Sequence, residues 1–277
     1  MDKQMTIRRK LSIILTVTIF LAAWTLYSWL PAVERISIDS PKVGSGKVRI
    51  ALITDLHSCW YGREQGQIFS KIEREKPDIA VLSGDIFDDK IPDENAKILL
   101  ERLAEICPCF YVTGNHELWS GRVREMKDYV QSIGVTVLSG NCRSISVNGA
   151  EIDVCGVDDP FYMEESEWKK QIDSAFSKTS ESHLKILASH RPERTKIYGQ
   201  YDFDLILAGH AHAGQIRIPF LNRGLYAPDQ GFFAKYVNGS YKQPNGSVLV
   251  VSRGLAREST PLPRFFNRPE IAIVEVE

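Results

Sequence analysis

Val48-Arg49-Ile50-Ala51-Leu52-Ile53-Thr54-Asp55-Leu56-His57 is a nearly unbroken apolar run that ends in a carboxylate and an imidazole. A short apolar run bounded by polar turn residues suits a strand buried on both faces. Downstream the period changes. Ile68, Phe69 and Ile72 recur at helical spacing over 64–76 until Pro77 stops the helix, and Asp78 to Ser83 forms the next strand. A helix over 93–106, carrying Ile98, Leu99, Leu103 and Ile106, leads into a strand from Cys109 to Thr113. The order β-α-β-α-β predicts an α/β domain.

After a helix near 122–133 the pattern shifts to short strands around 135–138, 143–147 and 151–157, with Asn148-Gly149 as a hairpin turn. A helix near 164–176 precedes strands at 184–189 and 204–208, and the chain closes with strands near 247–252 and 270–276. Antiparallel pairing therefore joins the parallel pattern. No internal repeat, low-complexity tract or second linker divides 48–277, which reads as one domain.

Polar residues of one chemical kind follow the strands. They are Asp55-Leu56-His57, Gly84-Asp85-Ile86-Phe87-Asp88, Gly114-Asn115-His116-Glu117, Ser189-His190 and Gly209-His210-Ala211-His212. Ligands at the carboxyl ends of strands converge on one crevice. A lone histidine is more often an ordinary core or surface residue, but five of the six histidines fall at or just past strand ends, leaving only His183. Imidazole, carboxylate and amide oxygen without thiolate suit Mn, Fe, Zn or a similar divalent ion. Seven such groups exceed one tetrahedral ion and suffice for two. Gly84, Gly114 and Gly209 at the turns would allow close backbone approach, although each also fits a simple tight turn.

These blocks resemble the ordered signature of the calcineurin-like metallophosphoesterases: D-x-H, G-D-x-x-D, G-N-H-[DE], an isolated H, and G-H-x-H. Gly156-Val157-Asp158-Asp159-Pro160, Gly214-Gln215, Ser252-Arg253-Gly254-Leu255 and Pro269-Glu270-Ile271 look further like the membrane-tethered bacterial YaeI/YkuE-type phosphodiesterases. The resemblance implies two packed, mixed β-sheets flanked by helices. It implies one metal held by Asp55, His57, Asp85 and His212, and a second by Asp85, Asn115, His190 and His210, with Asp85 bridging. It further implies attack by a metal-bridging hydroxide, with His116 outside the metal shell binding phosphate or protonating the leaving oxygen and Asp88 orienting its ring. Glu117, where many relatives have Asp, and the Arg191-Pro192 that follows His190 depart from the pattern without removing a ligand. Arg253 is a candidate phosphate contact on resemblance and charge, with a solvated surface arginine as the plain alternative.

Composition sets the surroundings. With 34 Lys+Arg against 35 Asp+Glu in 277 residues, the chain lacks the basic excess that nucleic-acid binding needs, so no nucleic-acid partner is expected. Residues 1–47 hold seven Lys/Arg and three Asp/Glu, which leaves −5 on 48–277. Leu11 to Val33 contains no charge over 23 residues, follows Arg8-Arg9-Lys10 and carries Trp24, Tyr27 and Trp29 near its far end. It predicts a single-pass transmembrane anchor over 11–33, a cytoplasmic N-terminus over 1–10, a linker over 34–47 and a domain over 48–277 outside the cytoplasm, at the cell membrane. A cleaved signal or a buried core helix are the alternatives for the same segment. Cys59, Cys107, Cys109, Cys142 and Cys155 form no paired C-x-x-C units and read as buried thiols rather than a disulfide framework.

The sequence therefore predicts a membrane-anchored, two-metal phosphoesterase acting on a phosphodiester or pyrophosphate. Phe220, Leu221, Leu225, Tyr226, Phe232, Phe233, Tyr236 and Tyr241 either pack a long loop or present apolar surface to a lipid-linked substrate. A phosphate-recognising protein without turnover, a phosphomonoesterase and a nuclease are the rival readings. Metal identity and oligomeric state are open.

Overall fold

The computed structural model describes residues 2–217, 223–260 and 263–277. In chain order its strands are β1 (Ala32–Ile38), β2 (Val48–Ile53), β3 (Ile79–Ser83), β4 (Cys109–Val112), β5 (Thr136–Val137), β6 (Asn141–Val147), β7 (Ala150–Gly156), β8 (Leu184–Ala188), β9 (Leu205–Ala208), β10 (Tyr226–Ala227), β11 (Gly231–Phe232), β12 (Gly239–Lys242), β13 (Val248–Val251) and β14 (Glu270–Val276). The helices are α1 (Asp2–Ser28), α2 (Gly66–Glu75), α3 (Glu94–Ile106), α4 (Asn115–Trp119), α5 (Val123–Ser132), α6 (Glu165–Phe176) and α7 (Thr195–Tyr198). The elements expected from periodicity across 48–277 fall within a few residues of these bounds.

Two six-stranded sheets carry the domain, ordered β1-β14-β2-β3-β4-β5 and β12-β13-β9-β8-β7-β6. Both are mixed: β2 pairs parallel with β3 and antiparallel with β14, while β8 pairs parallel with β7 and β9 and β6 antiparallel with β7. The sheets face each other across a core that joins Ile50, Leu52, Val81 and Val112 of one to Ile152, Val154, Ile186 and Leu207 of the other. The outer face of the first sheet is covered by Ile68, Phe69 and Ile72 of α2 and Leu99, Leu100 and Leu103 of α3. Trp168, Ile172 and Ala175 of α6 cover the outer face of the second. Strands buried on both faces read as continuous apolar runs rather than alternating ones, which is why β2, β3, β8 and β9 were legible.

Three expectations change. The stretch 34–47 is structured, because β1 pairs parallel with β14 over seven residues and Val33, Ile36 and Ile38 pack on the cores. As an edge strand it carries Glu34 and Arg35 toward solvent, so its apolar signal is weak. The helix expected over 11–33 ends at Ser28, and Ala32 opens β1. Among the described residues no helix is long and apolar enough to cross a membrane, and the side chains of Leu21, Thr25 and Leu26 lie outside the described residues. Finally, the β6–β7 register places Cys142 opposite Cys155, and the two form a disulfide, whereas Cys59, Cys107 and Cys109 are free and buried. Cross-strand neighbours thirteen residues apart become adjacent only once the hairpin forms.

Candidate metal centre

The carboxyl ends of β2, β3 and β4 from one sheet meet those of β8 and β9 from the other, and the turns that follow them hold all seven expected donors. Backbone hydrogen bonds lace these turns together: Asp55 N donates to Gly84 O at 3.0 Å and His57 N to Asp85 O at 2.8 Å. Asp55, His57, Asp85, His210 and His212 all stand at positive φ, between 45° and 63°. Left-handed backbone at non-glycine residues costs free energy and persists where the surroundings over-determine it, most often at functional sites. Gly84 has φ +83°, and a Cβ there would fall 2.7 Å from His190 Nδ1. Gly114 is needed for closeness instead: a Cβ would lie 2.3 Å from Asp85 Oδ1.

The donors sort into two sets that share Asp85. On one side, His212 Nε2 lies 3.2 Å from Asp55 Oδ1 and 3.4 Å from His57 Nε2, which is 3.7 Å from Asp85 Oδ2. On the other, His190 Nε2 lies 3.1 Å from Asp85 Oδ2 and 3.1 Å from His210 Nδ1. Asn115 Oδ1 is buried and has no hydrogen-bond partner among the described residues, as an amide oxygen meant for a cation would be. The ring orientations are set from behind: His190 Nδ1 donates to Ser83 O at 2.8 Å, which leaves Nε2 free to ligate, and His57 Nδ1 lies 3.2 Å from Asp88 Oδ2. The residues present therefore fit two divalent ions with mixed nitrogen and oxygen ligands.

Electrostatics point the same way. Burial opposes charge on both acids, yet the imidazoles of His212 and His190 hold Asp55 below its ordinary range. The imidazoles of His190, His57 and His116 hold Asp85 well below it. Burial works against a proton on His190 too, but Asp85 and Asp55 raise it to about 10. Burial lowers His210 to about 4. Asp55 and Asp85 thus stay ionised and favour positive charge at His190, while burial keeps His210 and His212 neutral, and ionised carboxylates beside neutral imidazoles are the forms that ligate metal.

His116 has one more acidic neighbour than expected. Its Nδ1 is 2.7 Å from Asp89 Oδ1 and 3.3 Å from Asp88 Oδ2, so Asp89 makes the closer contact, and Asp88 Oδ2 lies between His116 and His57, 3.2 Å from His57 Nδ1. His116 packs its ring 4.6 Å from Trp119 and lines a cavity of ≈ 780 Å³ beside Asp85, Asn115, His210 and His212. Arg253 does not reach that cavity: it is buried, its Nε bonds Glu270 and its Nη2 lies 3.3 Å from Glu34, so it pins β14 to β1 instead of meeting phosphate. The bond arises because β14 folds back beside the segment after β13, a pairing sequence cannot show.

Sequence reasoning also missed residues behind the ligands. The buried Glu117 carboxylate accepts the backbone N–H groups of Asp85, Ile86, Phe87 and Gly114 at 2.8–3.0 Å, fixing the loop that presents the shared ligand. Arg191 and Asp229 stand against His210, and Asp159 holds Arg191. The Asp158-Asp159-Pro160 run was the available signal for Asp159; nothing marked Asp229. Phe220 and Leu221 lie outside the described residues. Tyr236 and Tyr241 pack on each other, while Tyr226, Phe232 and Phe233 are exposed.

The comparisons with known proteins agree with this geometry. A family model described as calcineurin-like phosphoesterase matches residues 48–214. An uncharacterized metallophosphoesterase of Helicobacter pylori is 30% identical over 234 residues, covering 83% of this chain and 60% of its own, so the chain spans about three-fifths of that relative. The uncharacterized metallophosphoesterase YkuE of Bacillus subtilis is 27% identical over 73% of this chain and 68% of its own. A bovine transmembrane protein with metallophosphoesterase domain is 27% identical over 97% of this chain and 62% of its own.

Proposed function

Since the chain belongs to the calcineurin-like phosphoesterases, we propose that it hydrolyses phosphoric esters and cleaves a phosphodiester or pyrophosphate bond in a lipid-linked or envelope substrate. The observation that carries the reading is the grouping of Asp55, His57 and His212 beside that of Asp85, His190 and His210, with His57 Nε2 3.7 Å from Asp85 Oδ2 and Asn115 Oδ1 left without a hydrogen-bond partner among the described residues. Two divalent ions, of which Mn, Zn and Fe suit these donors, would supply positive charge for the phosphoryl oxygens and an activated water. The chain's own residues position and protonate. Although burial opposes it, Asp88, Asp85 and Asp89 raise His116 to about 9, so at neutral pH it carries a proton that it can give to the leaving oxygen.

The substrate class is supported by the cavity walls. A volume of ≈ 780 Å³ exceeds what a phosphate fills, and Trp119, Phe161, Met163 and Tyr226 give it an apolar side. The N-terminal helix supports a membrane setting: Leu11, Ile13, Ile14, Leu15, Ile19 and Phe20 are exposed, and Arg8, Arg9 and Lys10 precede them. Its end is seated against the domain, with Arg268 over the Tyr27 ring, Arg257 over Trp29, and Trp24 4.5 Å from Phe266. Thr260, three residues after Arg257, lines the cavity. The Cys142–Cys155 disulfide accords with an oxidising compartment, as an extracytoplasmic domain requires.

The test is turnover by the full-length protein loaded with Mn²⁺ on three phosphates: bis(p-nitrophenyl) phosphate, p-nitrophenyl phosphate and an undecaprenyl-type diphosphate in micelles. Preference for the diester or the lipid diphosphate is expected. Preference for the monoester would overturn the bond assignment, and metal binding without turnover of any of them would favour a phosphate-recognising protein.

A further inference from the structure

His210 turns its two ring nitrogens toward different neighbours. Nδ1 lies 3.1 Å from His190 Nε2, on the side where the second set of donors converges. Nε2 lies 2.9 Å from Asp229 Oδ2 and 2.8 Å from Arg191 Nη1. A neutral imidazole that ligates through Nδ1 must carry its proton on Nε2. A guanidinium has donors and no acceptor, so Arg191 alone favours the opposite tautomer, with Nε2 accepting and the proton on Nδ1. That tautomer cannot ligate through Nδ1.

Arg191 cannot turn away. Asp159 binds it in the two-pronged way carboxylates bind guanidinium, Nε to Oδ2 at 2.5 Å and Nη2 to Oδ1 at 2.9 Å, in a buried pocket. Asp229 meets both donors at once, since the same Oδ2 accepts from Arg191 Nη1 and faces His210 Nε2. It does so from the turn between β10 and β11, at φ +58°, a conformation Asp tolerates better than most residues and still at a cost.

We propose that Asp229 is a positioning residue that locks His210 in the Nε2–H tautomer against Arg191, and so makes Nδ1 available as a metal ligand. The assignment rests on the two-ion reading above. Asp229 acts through His210 and touches no reacting atom. Its side chain is half exposed, so truncation leaves no buried cavity.

The experiment reads tautomer and metal separately in the full-length protein. His190 Nε2, 3.1 Å away, can itself donate to Nδ1 when protonated and hold the same tautomer, so long-range ¹H–¹⁵N correlation spectra are taken on ¹⁵N-histidine-labelled, metal-free protein in a His190→Ala background, with His210 assigned from the peaks lost in His210→Asn. With Asp229 present this background should show the Nε2–H pattern, and with Asp229→Ala the Nδ1–H pattern. Calorimetric titration with Zn²⁺ should find two ions in the wild type, and in Asp229→Ala an unchanged first site with a second weakened about 10–100-fold, the usual effect of removing a carboxylate behind a ligating histidine. Asp229→Asn, whose amide oxygen can still accept from Nε2–H, should recover much of the loss. A wild type that binds fewer than two ions would overturn the two-ion reading. Two ions in the wild type, with the tautomer or the second-site affinity unmoved in Asp229→Ala, would overturn the role of Asp229 and leave that reading standing.

Discussion

His116 Nδ1 is held at 2.7 Å by Asp89 Oδ1. Asp88, one residue earlier, lies 3.3 Å from the same nitrogen but also 3.2 Å from His57 Nδ1, and its other oxygen accepts the N–H groups of Lys90 and Ile91. Of these two rings Asp89 thus faces His116 alone, while Asp88 stands between His116 and His57.

If His116 protonates the leaving oxygen, His116→Ala should retain both metals and lose roughly 10²–10⁴-fold in kcat, with a smaller loss for nitrophenolate than for an alkoxide leaving group. Asp89→Asn should give a milder version with metal content intact, about tenfold, whereas Asp88→Asn should also weaken metal binding through His57. Elemental analysis beside kcat for both leaving groups decides it. Equal losses for good and poor leaving groups would reduce His116 to phosphate binding.

Asp85 belongs to both donor sets, and its Oδ1 is steadied by the His116 N–H at 2.8 Å. Asp85→Asn should therefore lower metal stoichiometry and abolish most activity, because an amide brings no negative charge between two cations. Full metal content with near-normal turnover would remove the bridge from the scheme.

Arg253 and Glu270 form a buried ion pair away from the cavity. Arg253→Met should cost about 3–5 kcal/mol of stability by stranding Glu270, read by denaturant unfolding, while KM for a small diester holds. A raised KM with normal stability would return Arg253 to the phosphate site.

Asp153, in β7, offers a test of pH-linked stability remote from the metals. Burial opposes its charge, but hydrogen bonds from Ser144 Oγ, His183 and the Ser180 N–H hold its carboxyl below the ordinary range. A depressed folded-state pKa stabilises above the unfolded value and stops doing so as pH falls through the folded one. Asp153→Asn should accordingly lower Tm at pH 7, and the gap to wild type should close as pH drops below about 4. A gap independent of pH would show that shape, not charge, matters there.

Membrane attachment has its own test. The full-length protein should sediment with membranes, and external protease should reach the domain in spheroplasts. Full protection of the domain would reverse the orientation.

His57, His116, His190, His210 and His212 were readable as one site because each follows a strand, and strand ends on a β-α-β scaffold converge whatever lies between them. The β strands buried on both faces were readable for the related reason that burial on both sides leaves an unbroken apolar run. The edge strand β1 was not, since pairing on one side lets Glu34 and Arg35 face solvent and blurs the pattern.

Local sequence, then, carried the order of the doubly buried strands and the longer helices, together with the donor types and their number, because covalent spacing and side-chain chemistry are properties of the chain itself. Packing in three dimensions is what brings Asp89 closer than Asp88 to His116, pairs Arg253 with Glu270 and carries Asp229 to His210. It also set Cys142 against Cys155. Each is a contact between side chains whose distance depends on sheet register, turn conformation or the packing of one sheet on the other, and a difference of an ångström or two there selects which of several chemically equal partners is met.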